Sequence, residues 1–334
     1  MDNARPTIAA LAAWLEAPDP GPWIVETSGS TGRPKRVMLS RRAVEASVSL
    51  SARRLGGAGR WLLALPASYV AGLNVVSRSL AAGSTPLLLD DFPTFEAATE
   101  ALGAGGFVSL VPTQLHRLLD SAPEALADYH TVLLGGGPID PHLRARAAAA
   151  GARVVATYGS AETCGGAVYD GMPFDGVGVA IGADGRVRIG GPTLFDGYDG
   201  DPALTAEVLV DGWFLTSDAG RLDADGRLEL LGRIDDMVIT GGVNVPAAVV
   251  ARRLREHPAV TGAEVLGVPD EEWGSRLVAY VVGGASLDEL RDWVAAAHPR
   301  SWAPRQVIVL DELPMLGNGK TDRLALRRLL REPA

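Results

Sequence analysis

Between Trp23 and Gly159, short apolar runs alternate with segments whose apolar residues recur at helical spacing. The runs at 61–65, 86–89, 107–111, 131–134 and 153–157 are mostly apolar without a strict alternation, as expected of strands covered on both faces. The segments at 41–55, 71–82, 95–102, 114–119 and 141–150 predict helices, the first with Ser40 as its N-cap. This alternation predicts a layered α/β domain with a largely parallel sheet. After Gly165 the texture changes. Short runs at 177–181, 186–190, 213–216 and 227–231 are separated by turns, and Asp184-Gly185 and Asp225-Gly226 are hairpin signals. A small antiparallel β subdomain is expected there.

A third texture begins near Asp235. Segment 246–256 reads as a helix with Pro246 near its first position, 260–268 and 277–282 as strands, 287–297 as a helix, 306–310 as a strand and 321–330 as a basic helix. The expected division is therefore residues 1–234 for a main domain and 235–334 for a small α+β domain. The first 20 residues carry no clear pattern and are expected to be partly loose.

Composition narrows the function classes. The chain has 334 residues, 47% hydrophobic and 21% charged, enough apolar material for a sizeable core. A net charge of −9 argues against a broad nucleic-acid or anionic-membrane surface. Any bound anion must be held locally. The single cysteine, Cys164, excludes an internal disulfide framework. No apolar run is long enough to span a bilayer, and the polar start lacks a signal-peptide pattern. A cytoplasmic protein is expected.

Four segments carry candidate chemistry. Thr27-Ser28-Gly29-Ser30-Thr31-Gly32-Arg33-Pro34-Lys35 follows an apolar run. Its glycines allow a tight fold that turns backbone N–H groups inward, and its hydroxyls and lysine add donors, so it suits a polyphosphate. The same residues also suit an ordinary Ser/Gly turn, and the spacing is not that of a Walker A loop. Tyr158-Gly159-Ser160-Ala161-Glu162-Thr163 follows a predicted strand, where an α/β fold places nucleotide contacts. Gly212-Trp213-Phe214-Leu215-Thr216-Ser217-Asp218, followed by Gly232-Arg233-Ile234-Asp235-Asp236, reads by itself as a β-hairpin with a surface ion pair. Gly317-Asn318-Gly319-Lys320-Thr321-Asp322-Arg323 reads by itself as a turn with an exposed lysine.

In this order the four segments resemble the marks of the adenylate-forming superfamily, which includes acyl- and aryl-CoA synthetases, luciferases and the adenylation domains of peptide synthetases. The resemblance runs from about Trp23 to the end of the chain. It implies a phosphate loop formed by Thr27, Ser28, Gly29, Ser30, Thr31, Gly32 and Lys35. It implies that Tyr158 and Gly159 flank adenine, that Glu162 helps hold Mg²⁺, with Thr31 as a second candidate ligand, and that Thr163 meets phosphate. Asp218 then takes the ribose hydroxyls, as a carboxylate can, with Arg233 beside it. Asp235 falls on the hinge and Lys320 is the catalytic lysine. Gly135 resembles the wall of the acyl pocket and Gly136 and Gly137 its continuation towards adenine. Ser68, Tyr69 and Asn74 fall in the acyl-pocket segment, where many relatives carry histidine in place of Tyr69. Gly241 and Gly242 resemble the loop lining the tunnel for the coenzyme A thiol.

Within the superfamily, the 26 residues before the phosphate loop and the Pro66-Ala67-Ser68-Tyr69-Val70-Ala71-Gly72-Leu73-Asn74 stretch resemble the short actinobacterial type of o-succinylbenzoate–CoA ligase of menaquinone biosynthesis. The implied partners are a small carboxylic acid, ATP with Mg²⁺, and coenzyme A. The implied second domain is a mobile lid. Another aryl- or acyl-CoA ligase, a stand-alone adenylation enzyme loading a carrier protein, and a non-catalytic nucleotide-binding relic stay open, as does a homodimer.

Overall fold

The computed structural model describes residues 4–27, 34–315 and 321–330. In chain order its first half runs α1 (Ala4–Glu16), β1 (Trp23–Glu26), β2 (Arg36–Leu39), α2 (Arg41–Leu55), β3 (Trp61–Leu63), α3 (Val70–Ala81), β4 (Leu87–Leu88), α4 (Phe95–Leu102), β5 (Phe107–Leu110), α5 (Pro112–Ser121), α6 (Pro123–Ala127), β6 (Thr131–Leu134), α7 (Pro141–Ala149), β7 (Val154–Ser160), β8 (Gly165–Tyr169) and β9 (Met172–Pro173). Then come β10 (Gly178–Ile181), β11 (Arg186–Gly190), β12 (Gly197–Tyr198), α8 (Pro202–Val208), β13 (Leu209–Val210), β14 (Trp213–Leu222), β15 (Leu228–Arg233), β16 (Met237–Thr240), β17 (Val243–Pro246), α9 (Ala247–Arg255), β18 (Val260–Asp270), β19 (Gly274–Gly283), α10 (Leu287–Ala295), β20 (Gln306–Leu310) and α11 (Arg323–Leu329).

A seven-stranded sheet of order β4-β3-β5-β6-β7-β8-β9 forms the centre of the first unit. The pairs β3–β4, β3–β5, β5–β6 and β6–β7 are parallel, and β8 and β9 extend the sheet antiparallel. The alternation of side chains explains why both faces are covered. Trp61, Leu63, Phe107 and Leu133 face a core shared with α2 and α3. Leu62, Val108, Leu110, Val132 and Leu134 face a second core built with α4, α5, α6 and α7. A separate three-stranded sheet, β1-β2-β12, carries the segment that follows the phosphate loop.

The N-terminal segment, expected to be loose, forms α1. Ile8 and Leu11 are buried, and Trp14 packs against the first core, so one face of the helix is anchored. Asp184-Gly185 and Asp225-Gly226 do connect β10 to β11 and β14 to β15.

The chain forms two compact units, one of Met1–Gly182, Val187–Thr216 and Leu222–Glu229, the other of Ala183–Arg186, Ser217–Arg221 and Leu230–Ala334. The second unit is built on the sheet β18-β19-β20. Ala263, Val265, Leu277, Ala279 and Val281 point to a core with α9 and α10, while Leu266, Val278 and Tyr280 meet Leu326 of α11 on the other face. Strands β19 and β20 are parallel, joined through α10. The hairpin β16–β17 turns at Gly241-Gly242.

Candidate active site

Strands β1 and β2 are antiparallel, with Glu26 opposite Arg36, so the phosphate loop is the connection of a hairpin. Its base is closed twice. Thr27 N–H donates to the Lys35 carbonyl at 2.9 Å, and Lys35 N–H donates to Thr27 Oγ1 at 3.1 Å. Ser28, Gly29, Ser30, Thr31 and Gly32 lie outside the described residues.

At the C-terminal end of β7 the chain passes through a tight turn that carries Glu162 and Thr163. Gly159 is required there by contact: a Cβ would stand 2.0 Å from the Gly165 carbonyl oxygen. Thr163 Oγ1 accepts from Ser160 N–H at 2.9 Å and donates to the Gly165 carbonyl at 2.7 Å, so its hydroxyl stitches the turn together. Tyr158 packs against the first core from β7. Cys164 takes a left-handed conformation at φ 52° and is fully buried. Burial pushes its thiol up to about 12, which fits a packing residue and not a nucleophile.

The Cys164 carbonyl is buttressed from below. Asn74 Nδ2 donates to it at 2.8 Å and Ser47 Oγ at 3.0 Å. Asn74 is buried on α3, so its amide serves the turn that holds Glu162 and Thr163. Ser68 and Tyr69 lie just before α3, both exposed, with Tyr69 at the N-cap position. Gly135, Gly136 and Gly137 follow the end of β6, beside β7 in the parallel sheet.

Glu162 is only 7% exposed, which makes its partners decisive. Tyr198 Oη donates to Glu162 Oε1 at 2.7 Å. The backbone of Glu162 is held by the same segment, its carbonyl accepting from Phe195 N–H at 2.9 Å. Among the described residues no lysine or arginine pairs with Glu162, and its Oε2 takes no hydrogen bond. Lys35 Nζ lies over the Tyr198 ring, 5.1 Å from its centroid. Tyr198 thus stands between the end of the phosphate loop and the buried acid. Sequence reading misses Tyr198, because it lies 36 residues from Glu162 with no spacing rule linking them.

A buried carboxylate with one oxygen that no described residue bonds suits Mg²⁺, which takes hard oxygen ligands and is commonly held by one or two carboxylates together with substrate phosphates. Glu162 fits that donor set. Thr31 lies outside the described residues.

In the second unit, Asp218 is half-buried on β14 and Arg233 is exposed at the end of β15. Arg233 Nη2 lies 3.8 Å from Asp235 Oδ2, the Asp235 side chain is 82% exposed, and both residues lie within the second unit. Gly241 is shaped by Trp273: its N–H donates to the Trp273 carbonyl at 3.0 Å, and with φ at +55° a Cβ would meet that ring at 2.7 Å. Arg305 stacks on the Trp273 ring, 3.6 Å from its centroid. Gly242 completes the hairpin tip. Lys320 lies outside the described residues; Met315 and Thr321 form an antiparallel bridge.

A hairpin loop closed at its base, a buried acid on a turn after a parallel strand, and a separate small α+β unit define a nucleotide-dependent enzyme of the adenylate-forming kind. The chain matches the AMP-binding enzyme family over residues 22–198 and the AMP-binding enzyme C-terminal domain over residues 250–320, and it belongs to that family. It is 43% identical to a probable 2-succinylbenzoate–CoA ligase of Mycobacterium tuberculosis, across 96% of this chain and 88% of that protein. It is 30% identical to the 2-succinylbenzoate–CoA ligase of Enterococcus faecalis, across 89% of this chain and 67% of that protein. Among solved structures it resembles o-succinylbenzoate–CoA synthetase from Bacillus subtilis in complex with its acyl-adenylate intermediate, with a TM-score of 0.77, 29% identity, and coverage of 93% of this chain and 69% of that one. It also resembles an amide bond synthetase from Marinactinospora thermotolerans, with a TM-score of 0.78, 30% identity, and coverage of 92% and 69%. No helix among the described residues is long and apolar enough to cross a membrane.

Proposed function

We infer that this chain is an o-succinylbenzoate–CoA ligase, an AMP-forming acid–thiol ligase that serves menaquinone biosynthesis in the cytoplasm. The placement of a buried carboxylate, Glu162, beside Tyr198 and Lys35 at the end of the phosphate-loop hairpin carries the reaction class. The identity of 43% across nearly the whole chain supports the substrate.

In the first half-reaction the substrate carboxylate attacks the α-phosphorus of ATP, forming acyl-AMP and releasing pyrophosphate. The backbone N–H groups and hydroxyls of the phosphate loop, Ser28 to Gly32, and the Lys35 ammonium hold the triphosphate. Thr163, its buried hydroxyl held between Ser160 N–H and the Gly165 carbonyl, shapes the turn beside the phosphates. When bound, Mg²⁺ neutralises phosphate charge, with Glu162 as the protein ligand. Tyr158, Gly159, Gly136 and Gly137 form the adenine site, Asp218 and Arg233 the ribose site. Lys320 bridges the attacking carboxylate and the α-phosphate, offsetting the charge that builds there. The acyl group lies by Gly135, Ser68 and Tyr69, with Asn74 supporting the wall from behind.

In the second half-reaction residues 235–334 turn about Asp235, withdrawing Lys320 and bringing the Gly241-Gly242 hairpin to the acyl carbon. The coenzyme A thiol attacks the acyl carbonyl, the C–O bond to phosphate breaks, and AMP leaves. No covalent enzyme intermediate is needed, in keeping with the high thiol pKa of Cys164. The amide bond synthetase among the structural relatives makes the acceptor the point to test. Pyrophosphate release with MgATP is to be measured across a panel of carboxylic acids with coenzyme A. Release that depends on o-succinylbenzoate, with its thioester as product, is expected. Release with another acid alone, or transfer to an amine or carrier protein in place of coenzyme A, overturns the assignment.

A further inference from the structure

We propose that Tyr198 is a positioning residue for the nucleotide–metal site, one side chain that sets the orientation of Glu162 and keeps Lys35 apart from it. The proposal rests on the reading above that Glu162 serves Mg²⁺-bound ATP. It adds a residue that the motifs do not mark.

The segment around Tyr198 is tied to both halves of the site. Strand β12 pairs antiparallel with β2, the strand that begins next to Lys35, with Tyr198 opposite Val37 and Gly197 opposite Met38. Arg36 and Asp199 form an ion pair at 2.7 Å across this pairing. On the other side, Phe195 N–H and Tyr198 Oη hold the backbone and side chain of Glu162. Tyr198 N–H itself donates to Thr205 Oγ1 at 2.8 Å, which fixes the start of the side chain. A displacement of the phosphate-loop hairpin is therefore passed to the acid through a few hydrogen bonds.

The chemistry suits this placement. A glutamate side chain has several rotamers, and a hydrogen bond to Oε1 selects one while leaving Oε2 for a cation. The phenol hydroxyl can donate a hydrogen bond, and at 2.7 Å from Oε1 it is placed to do so. The ring also separates two charges. An ammonium free to reach Glu162 would pair with it and cancel the charge that each group offers to a nucleotide and its cation. Over the ring, Lys35 gains a cation–π contact and stays directed away from the acid.

The test compares Tyr198→Phe, which keeps the ring and loses the hydroxyl, with Tyr198→Leu, which loses both, and with Glu162→Gln. The readout is ATP binding by calorimetry at a series of free Mg²⁺ concentrations, which needs no acyl acid and no turnover. Manganese–ATP binding followed by electron paramagnetic resonance repeats it with a visible cation. Tyr198→Phe is expected to raise the Mg²⁺ concentration for half-maximal ATP binding about 10–100-fold, as loss of a ligand-orienting hydrogen bond does. Its binding of ATP in EDTA is expected to be unchanged. Tyr198→Leu is expected to weaken ATP binding in EDTA as well, because Lys35 loses its seat. If Glu162→Gln shifts the Mg²⁺ dependence and a folded Tyr198→Phe or Tyr198→Leu does not, the proposal is wrong and the reading of Glu162 stands. If Glu162→Gln is itself without effect, the reading of Glu162 fails and the proposal with it.

Discussion

Arg323 Nη1 lies 2.6 Å from Asp236 Oδ1, and its Nε lies 2.8 Å from Glu264 Oε1. One guanidinium, three residues beyond Lys320, thereby joins the residue next to Asp235 to the middle of β18. Burial alone would lower its pKa, yet the two carboxylates outweigh that and hold it above the usual arginine value. The lysine segment and the proposed hinge are thus linked by charge within one unit.

Arg323→Met breaks that link while keeping a long apolar stem. It leaves Asp236 and the largely buried Glu264 without their cation. The expected cost is about 1–2 kcal/mol in urea unfolding, since the pair is only partly exposed. Pyrophosphate release is expected to fall more than the thioesterification of supplied acyl-adenylate. Equal losses in the two half-reactions would mean that Arg323 serves only stability.

Lys320→Ala is expected to lower pyrophosphate release about 10²–10³-fold, the usual effect of removing one transition-state cation or donor. Thioester formation from preformed acyl-adenylate is expected to survive, because the proposed mechanism gives the lysine no part in that step. The two rates, measured separately on the same variant, check this. Full adenylation activity in the variant would remove Lys320 from the mechanism.

Asn74→Leu matches the side chain in shape and takes one donor from the buried Cys164 carbonyl, which keeps the Ser47 hydroxyl. A loss of about 1–3 kcal/mol is expected in denaturant unfolding. The KM for ATP is expected to rise as well, since the same turn carries Glu162 and Thr163. A stable variant with unaltered kinetics would show that the turn holds itself.

Cys164, the single cysteine of the chain, offers a built-in reporter of that turn. Its thiol is fully buried and ionises only near about 12. Alkylation by iodoacetamide is expected to be absent in the native protein from pH 7 to 9 and rapid after unfolding. The lack of change across that range follows from the sign of the shift: a raised thiol pKa keeps the neutral, unreactive form through it. Rapid native labelling would mean that the turn opens readily.

Much of the fold was legible because its causes are local. The helix expected at 41–55 is α2 to the residue, capped by Ser40, whose hydroxyl accepts from Ala43 N–H. The helix at 95–102 and the strands at 131–134, 186–190 and 306–310 also match their predicted bounds. The antiparallel additions β8 and β9 were not legible, since pairing direction depends on how the Glu162 turn reverses the chain. Nor was α1 legible: its anchoring residues acquire meaning only through the core they meet.

The sequence by itself determined the alternation of strands and helices, the turn chemistry of Asp184-Gly185 and Asp225-Gly226, and the order of the chemistry-bearing segments. Those properties depend on neighbouring residues and on period. Only the tertiary structure decided that Tyr198 meets Glu162, that Asn74 holds the carbonyl of Cys164, and that Arg323 bridges Asp236 and Glu264. Each of these joins residues far apart in the chain, and a polar side chain gives no sign in sequence of which distant partner will satisfy it once both are buried.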